Sequence, residues 1–161
     1  MANYNLIMNQ IDTDREFYVW GCGQDIKRFN GNGWDYYNYQ NSAVPSGAPY
    51  FLDTRCISID PEDRVWVGCA EGPVAGLNEV AVFYIDSNDV SIGESWNFSD
   101  LGDFEVPQEI SHIYSCPFGD DILAFCTPLN GFGGTGPVDS YTEFKGVTGG
   151  RLFYYTIETG Q

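Results

Sequence analysis

The sequence predicts an all-β fold built from repeated four-stranded antiparallel sheets. Three observations carry this. No stretch places apolar residues at i, i+3, i+4 and i+7 over three turns, so the helical period is missing. Short runs rich in Tyr, Phe, Val and Ile recur between clusters of Asp, Asn, Gly and Pro, which is the pattern of strands joined by tight turns. A strand, an acidic turn and a second strand ending on a cysteine occur three times: Ile11 to Cys22, Ile59 to Cys69, and Cys116 to Cys126.

Taken in order, the first unit spans about residues 6–39. Its turn is Asp12-Thr13-Asp14. After Cys22 come a strand over Asp25–Phe29, the turn Asn30-Gly31-Asn32-Gly33, and a strand over Trp34–Tyr39. Asn-Gly between two β-type runs is a strong hairpin signal. The second unit spans about 54–98. Its turn is Asp60-Pro61-Glu62-Asp63, followed by a strand over Glu79–Ile85, the turn Asp86-Ser87-Asn88-Asp89 and a strand near Ser95–Phe98. The third spans about 110–157. It carries the turn Asp120-Asp121, a Gly-rich excursion from Gly131 to Gly150, and a strand over Arg151–Ile157. On this reading the third unit has three strands and lacks its fourth. Cys22, Cys69 and Cys126 take equivalent positions, 47 and then 57 residues apart. All 161 residues form a single repeat domain, in which stacked sheets bury Trp20 and Trp66 between them.

The run Phe29 to Tyr37, then Asn41-Ser42-Ala43-Val44-Pro45-Ser46, then Ile57 to Cys69 with Trp66-Val67-Gly68-Cys69 at its end, resembles the two-component-regulator type of β-propeller repeat. Cys69 stands where that family has Thr, and Val44 where it has Leu. Trp20-Gly21-Cys22 matches weakly, and Ala124-Phe125-Cys126 replaces the Trp-Gly pair. The resemblance implies that each unit is a propeller blade. A closed propeller has at least about 4 blades, so these repeats form an incomplete ring, or one completed by other chains. An open stack leaves apolar faces and a strand edge that invite a partner.

Composition narrows the function. The chain has 7 Lys+Arg against 23 Asp+Glu, for a net charge of −16. It therefore lacks the basic face that nucleic acid or an anionic membrane surface requires. With 43% apolar residues it is no acidic disordered tail. No apolar run is long enough for a transmembrane helix, and the start Met1-Ala2-Asn3-Tyr4-Asn5-Leu6 has no signal-peptide pattern. The expected location is a virion assembled in a host cytoplasm.

No catalytic, cofactor-binding or metal-ligating residue is assigned. The one histidine, His112, lies on a strand facing opposite to Ile113, without a nucleophile and acid around it. The five cysteines, Cys22, Cys56, Cys69, Cys116 and Cys126, have no CxxC spacing and read as small buried hydrophobes. The acidic turns offer oxygens of the kind Ca2+ takes, but none follows the 12-residue calcium loop, and they read as solvated hairpin turns. Gly131 to Pro137 lacks the Gly-Lys-Ser/Thr ending of a phosphate loop. The aromatic run Trp34–Tyr39 with Tyr50-Phe51 reads as strand packing, with contact to a surface glycan as the other use.

The expectation is therefore a non-enzymatic structural or interaction module of a larger assembly. A phage virion or tail-appendage component fits it, with protein partners or copies of itself. A ligand-sensing propeller domain of an extracytoplasmic sensor is the alternative. The third reading is a glycan-acting enzyme, which needs two carboxylates about 5–10 Å apart.

Overall fold

The computed structural model describes residues 8–23, 25–46, 53–70, 80–97, 108–115, 121–128, 140–145 and 152–156, with backbone alone at 108, 109, 111 and from 121 onward. The described residues are all β, as the sequence predicts, and contain no helix. Twelve strands form three antiparallel meanders. The first is β1 (Met8–Thr13), β2 (Val19–Gly23), β3 (Ile26–Phe29) and β4 (Trp34–Tyr37), paired in that order. The second is β5 (Asp53–Ile59), β6 (Arg64–Ala70), β7 (Val80–Asp86) and β8 (Gly93–Asn97). The third is β9 (Gln108–Ser115), β10 (Asp121–Pro128), β11 (Ser140–Lys145) and β12 (Leu152–Thr156). A single residue pair, Ala70 with Glu109, joins the second and third meanders into one eight-stranded sheet.

The third meander corrects the sequence reading. It has four strands, because β11 lies inside the stretch read as a Gly-rich excursion. Ser140-Tyr141-Thr142-Glu143-Phe144-Lys145 pairs with β10 from Asp121↔Lys145 to Cys126↔Ser140. Asp121 also moves from turn to strand, while Asp120 and Cys116 lie outside the described residues.

Register relates the three meanders residue by residue. Each first strand carries a bulge: between Met8 and Gln10, between Thr54 and Cys56, and opposite the Phe125/Cys126 step. A bulge at one place in every repeat bends each hairpin alike. Aligned on it, Trp20 corresponds to Trp66, and Asp14 to Asp60. Ile11 corresponds to Ile57 and to Ile113, which pair with Gly21, Val67 and Ala124 respectively. The same alignment corrects the cysteines. Cys69 (paired with Thr54) and Cys126 (paired with Ile110) are equivalent, but Cys22 pairs with Gln10 and matches Gly68.

In the first and second units the turn between the first two strands rests on a buried acid. Asp14 Oδ1 accepts from Glu16 N and Tyr18 N, and its Oδ2 accepts the indole N–H of Trp20 at 2.8 Å. Asp60 repeats this: Oδ1 takes Glu62 N and Arg64 N, and Oδ2 takes the Trp66 indole N–H, also at 2.8 Å. Each carboxylate thus closes its turn and fixes an indole six residues on. Tyr37 stacks on Trp20 at 5.3 Å, and Trp96 stacks on Trp66 at 5.6 Å. The two tryptophans are core residues, as the sequence analysis reads them.

The second sheet is apolar on both faces, and alternation divides its side chains. Ile57, Val65, Val67, Cys69, Phe83 and Ile85 share a core with Trp20, Cys22, Ile26 and Tyr37 of the first sheet. On the other face, Cys56, Trp66, Ala81, Val82 and Tyr84 pack with Ile110 and Ile113 of β9. Gly68 permits that approach, because a Cβ there would stand 2.5 Å from Ile110 Cγ2 and 2.6 Å from Cys56 Sγ.

Two outcomes follow for stability in denaturant titrations. Asp60→Ala removes the carboxylate that takes Arg64 Nε at 2.5 Å and leaves that buried guanidinium only the exposed Glu62, 3.1 Å from its Nη1. It should cost about 3 kcal/mol, the low end for breaking a buried pair, and more than Asp14→Ala, which leaves only neutral donors unpaired. Gly68→Ala should cost about 1–3 kcal/mol by wedging β9 away from β6.

Candidate functional site

The acidic turns are the first candidate, and among the described residues Asp12, Asp14, Asp60, Asp63, Asp86 and Asp89 each already accept hydrogen bonds within the chain. Besides Asp14 and Asp60, Asp12 Oδ2 accepts from Ile59 N and Asp63 Oδ1 from Arg15 N, so both carboxylates bind the first sheet to the second. Asp86 Oδ1 accepts from Asn88 N and Asp89 N, and Asp89 Oδ1 accepts from Ser91 N and Oγ. The Ser91 hydroxyl, then its backbone N–H, holds the exposed Asp89 carboxyl below its ordinary pKa. Among the described residues no group of three or more His, Cys, Asp or Glu is placed to hold a metal ion. The turns act as backbone acceptors, and Asp14 and Asp60 also as indole acceptors, a role visible in the sequence as an acid six residues before Trp20 and Trp66.

The thiols are the second candidate. Cys22, Cys56 and Cys69 are buried thiols, and Cys56 Sγ donates to Ile110 O at 3.2 Å. Burial pushes the Cys22 thiol up to about 12. Burial first, and then repulsion from Cys56 and Cys22, pushes Cys69 well above the ordinary 9.0. Such thiols stay protonated and are poor nucleophiles. Cys126 has only its backbone described.

The third candidate is the pair of end faces of the sheet stack. By register, Ile11 occupies the position of Ile57 and Ile113. Ile57 and Ile113 are each 1% exposed, because the preceding sheet covers them, whereas Ile11 is 56% exposed. The same face of the first sheet carries Tyr36, also exposed, and half-buried Val19 and Phe29. Phe17, in the turn beside it, is 86% exposed with φ 65°, a left-handed conformation that is costly for a bulky residue. Its counterpart Asp63, with φ 62°, touches the preceding sheet through Arg15 N.

The far end shows the complementary half. Asp12 Oδ2 receives Ile59 N, and 46 residues on, Ser58 Oγ receives Ser115 N at 3.1 Å. The third member of that series is Tyr114, paired with Leu123 as Ser58 is with Trp66. Tyr114 is 52% exposed, and the His112 ring lies parallel to it at 6.3 Å. His112 is exposed and Ile113 buried, as the strand alternation predicts. In β4 Tyr37 is buried and Tyr36 exposed, as alternation requires, and Tyr39, in the turn beyond the strand, is exposed. The loop Gly131–Pro137 and Tyr50-Phe51 lie outside the described residues.

An arginine clamp ties the first sheet together on its opposite face, toward the second sheet. Arg28 lies over Tyr18, Trp20 and Tyr37 at 5.1–5.5 Å and donates from Nη1 to Ser87 O. Compared with known proteins, the chain matches no family model, no curated protein and no solved structure.

The buried thiols predict an alkaline limit to stability. A thiol with a folded pKa above its unfolded one binds its proton more tightly when folded. Its contribution is therefore fully present below pH 9.0 and is lost as pH rises toward about 12. Chemical denaturation at stepped pH should show this loss above pH 9. Cys22→Ala should shrink it once its own cavity cost is subtracted.

Proposed function

We propose that this chain is a non-enzymatic structural or interaction module whose two end faces join it to further sheets of the same kind in a larger assembly. The observation that carries the reading is the isoleucine series: one repeat position is buried at Ile57 and Ile113 and open at Ile11. Covering an exposed isoleucine is worth up to about 1.5–3 kcal/mol, and the surrounding aromatic side chains enlarge the patch. In the propeller-type reading the three meanders are blades, short of the roughly 4 a ring needs. Further sheets beyond these three, from copies of this chain, from other chains or from a longer chain of which this is part, supply the rest. A virion or tail appendage is an assembly of this kind. The net charge of −16 speaks for protein partners over nucleic acid.

Light scattering on a sizing column tests the reading. The native particle should exceed the 18.0 kDa of one chain, and Ile11→Asp should weaken association by about ten-fold or more while leaving the chain folded. Ile57→Asp, the same change at a covered position, should unfold it. A monodisperse 18.0 kDa species at all concentrations would overturn the reading.

A further inference from the structure

The β3–β4 turn contains two Asn-Gly pairs in succession, Asn30-Gly31 and Asn32-Gly33. Asn followed by Gly is chemically labile, because without a side chain the next residue's amide nitrogen can reach the Asn Cγ. The sequence presents the two pairs as equals. The hydrogen bonds of the turn do not.

Asn30 Oδ1 accepts two backbone N–H groups, from Asn32 at 3.0 Å and from Gly33 at 3.1 Å. These donors point at the oxygen on which negative charge develops when Cγ is attacked, as in an oxyanion hole. The attacking nitrogen would be that of Gly31, whose φ is +90° and whose N–H none of this turn's hydrogen bonds employs. A Cβ built on Gly31 meets nothing within 4 Å, so the nucleophile is also open to solvent base. For Asn32 the nucleophile would be Gly33 N, and that N–H is already donated to Asn30 Oδ1. Giving up its proton would cost Gly33 a bond the turn depends on.

We propose that Asn30 is a site of spontaneous deamidation in the folded chain and that the turn protects Asn32. The Gly31 nitrogen loses its proton to solvent base and bonds to Asn30 Cγ. The Cγ–Nδ2 bond breaks, and Nδ2 leaves as ammonia after taking a proton from water. The resulting five-membered imide is opened by water at either carbonyl, giving aspartate or isoaspartate at position 30. Water is the only co-reactant, and nothing is oxidised or reduced. The product replaces an amide that donates from Nδ2 to Asp35 Oδ2 at 3.3 Å with a carboxylate facing that same acid. Asp35 is also the partner of Arg28 at 3.6 Å, so the change bears on the clamp over Trp20.

The test is peptide mapping by mass spectrometry of the full chain, aged at mildly alkaline pH with and without urea. In the folded chain Asn30 should convert at least about ten-fold faster than Asn32, a floor below the roughly hundred- to thousand-fold that one well-placed oxyanion donor is worth. In urea the two should convert at similar rates. Asn32→Ser, which removes the competing pair and keeps the backbone donors, should leave the folded-state rate at Asn30 unchanged. Equal rates in the folded chain, faster conversion at Asn32, or protection of both until urea is added would each overturn the proposal.

Discussion

A buried carboxylate that receives an indole N–H is the contact on which the rest of the molecule depends. Asp14 and Asp60 are both buried, and a buried charge is tolerated only when its oxygens are fully hydrogen-bonded. Two main-chain N–H groups and one indole satisfy each. Because the indole is fixed, its ring stands across the sheet and offers a flat surface to the fourth strand. Tyr37 and Trp96 take that surface in their respective sheets. One acid therefore sets the turn, the tryptophan rotamer and the packing of the hairpin three strands away.

The cation around each tryptophan is placed differently. In the first sheet Arg28 lies on β3, directly across from Trp20, and reaches the second sheet at Ser87. In the second sheet Tyr84 holds that cross-strand position, and Arg64, the first residue of β6, pairs with Asp60 and Glu62. The third unit has no indole at this place: register puts Leu123 where Trp66 stands, and six residues separate Ser115 from its partner Ile122, against five between Ile59 and Val65.

Much of this was legible in the residues. The Asn30–Gly33 hairpin, the strands on either side of Asp60–Asp63, and the burial of Trp20 and Trp66 follow from turn chemistry and aromatic content. The acids were legible as turns, but their second task required seeing that each lies six residues before a tryptophan. Register was not legible, because a bulge adds one residue to a strand without leaving a composition signal. The cysteine offset was legible, since Cys22 stands two residues after Trp20 and Cys69 three after Trp66. β11 was hidden by the glycines on both sides of Ser140–Lys145. Ile11 is an ordinary strand isoleucine in the sequence. Its exposure carries meaning only when set beside Ile57 and Ile113, and pairing is what sets them together. Phe17 gave no sign of a positive φ, since Phe has no preference for it.

The repeated acid–indole lock is most directly tested by hydrogen exchange of the four indole N–H groups, followed by NMR on the native chain. The Trp20 and Trp66 indoles should exchange only through global unfolding, with an opening free energy equal to that from denaturant titration. The Trp34 indole, on the open face of β4, should exchange orders of magnitude faster. Exchange of the Trp20 or Trp66 indole at the Trp34 rate would mean that the carboxylate does not hold the ring, and the account of the fold built on it would fail.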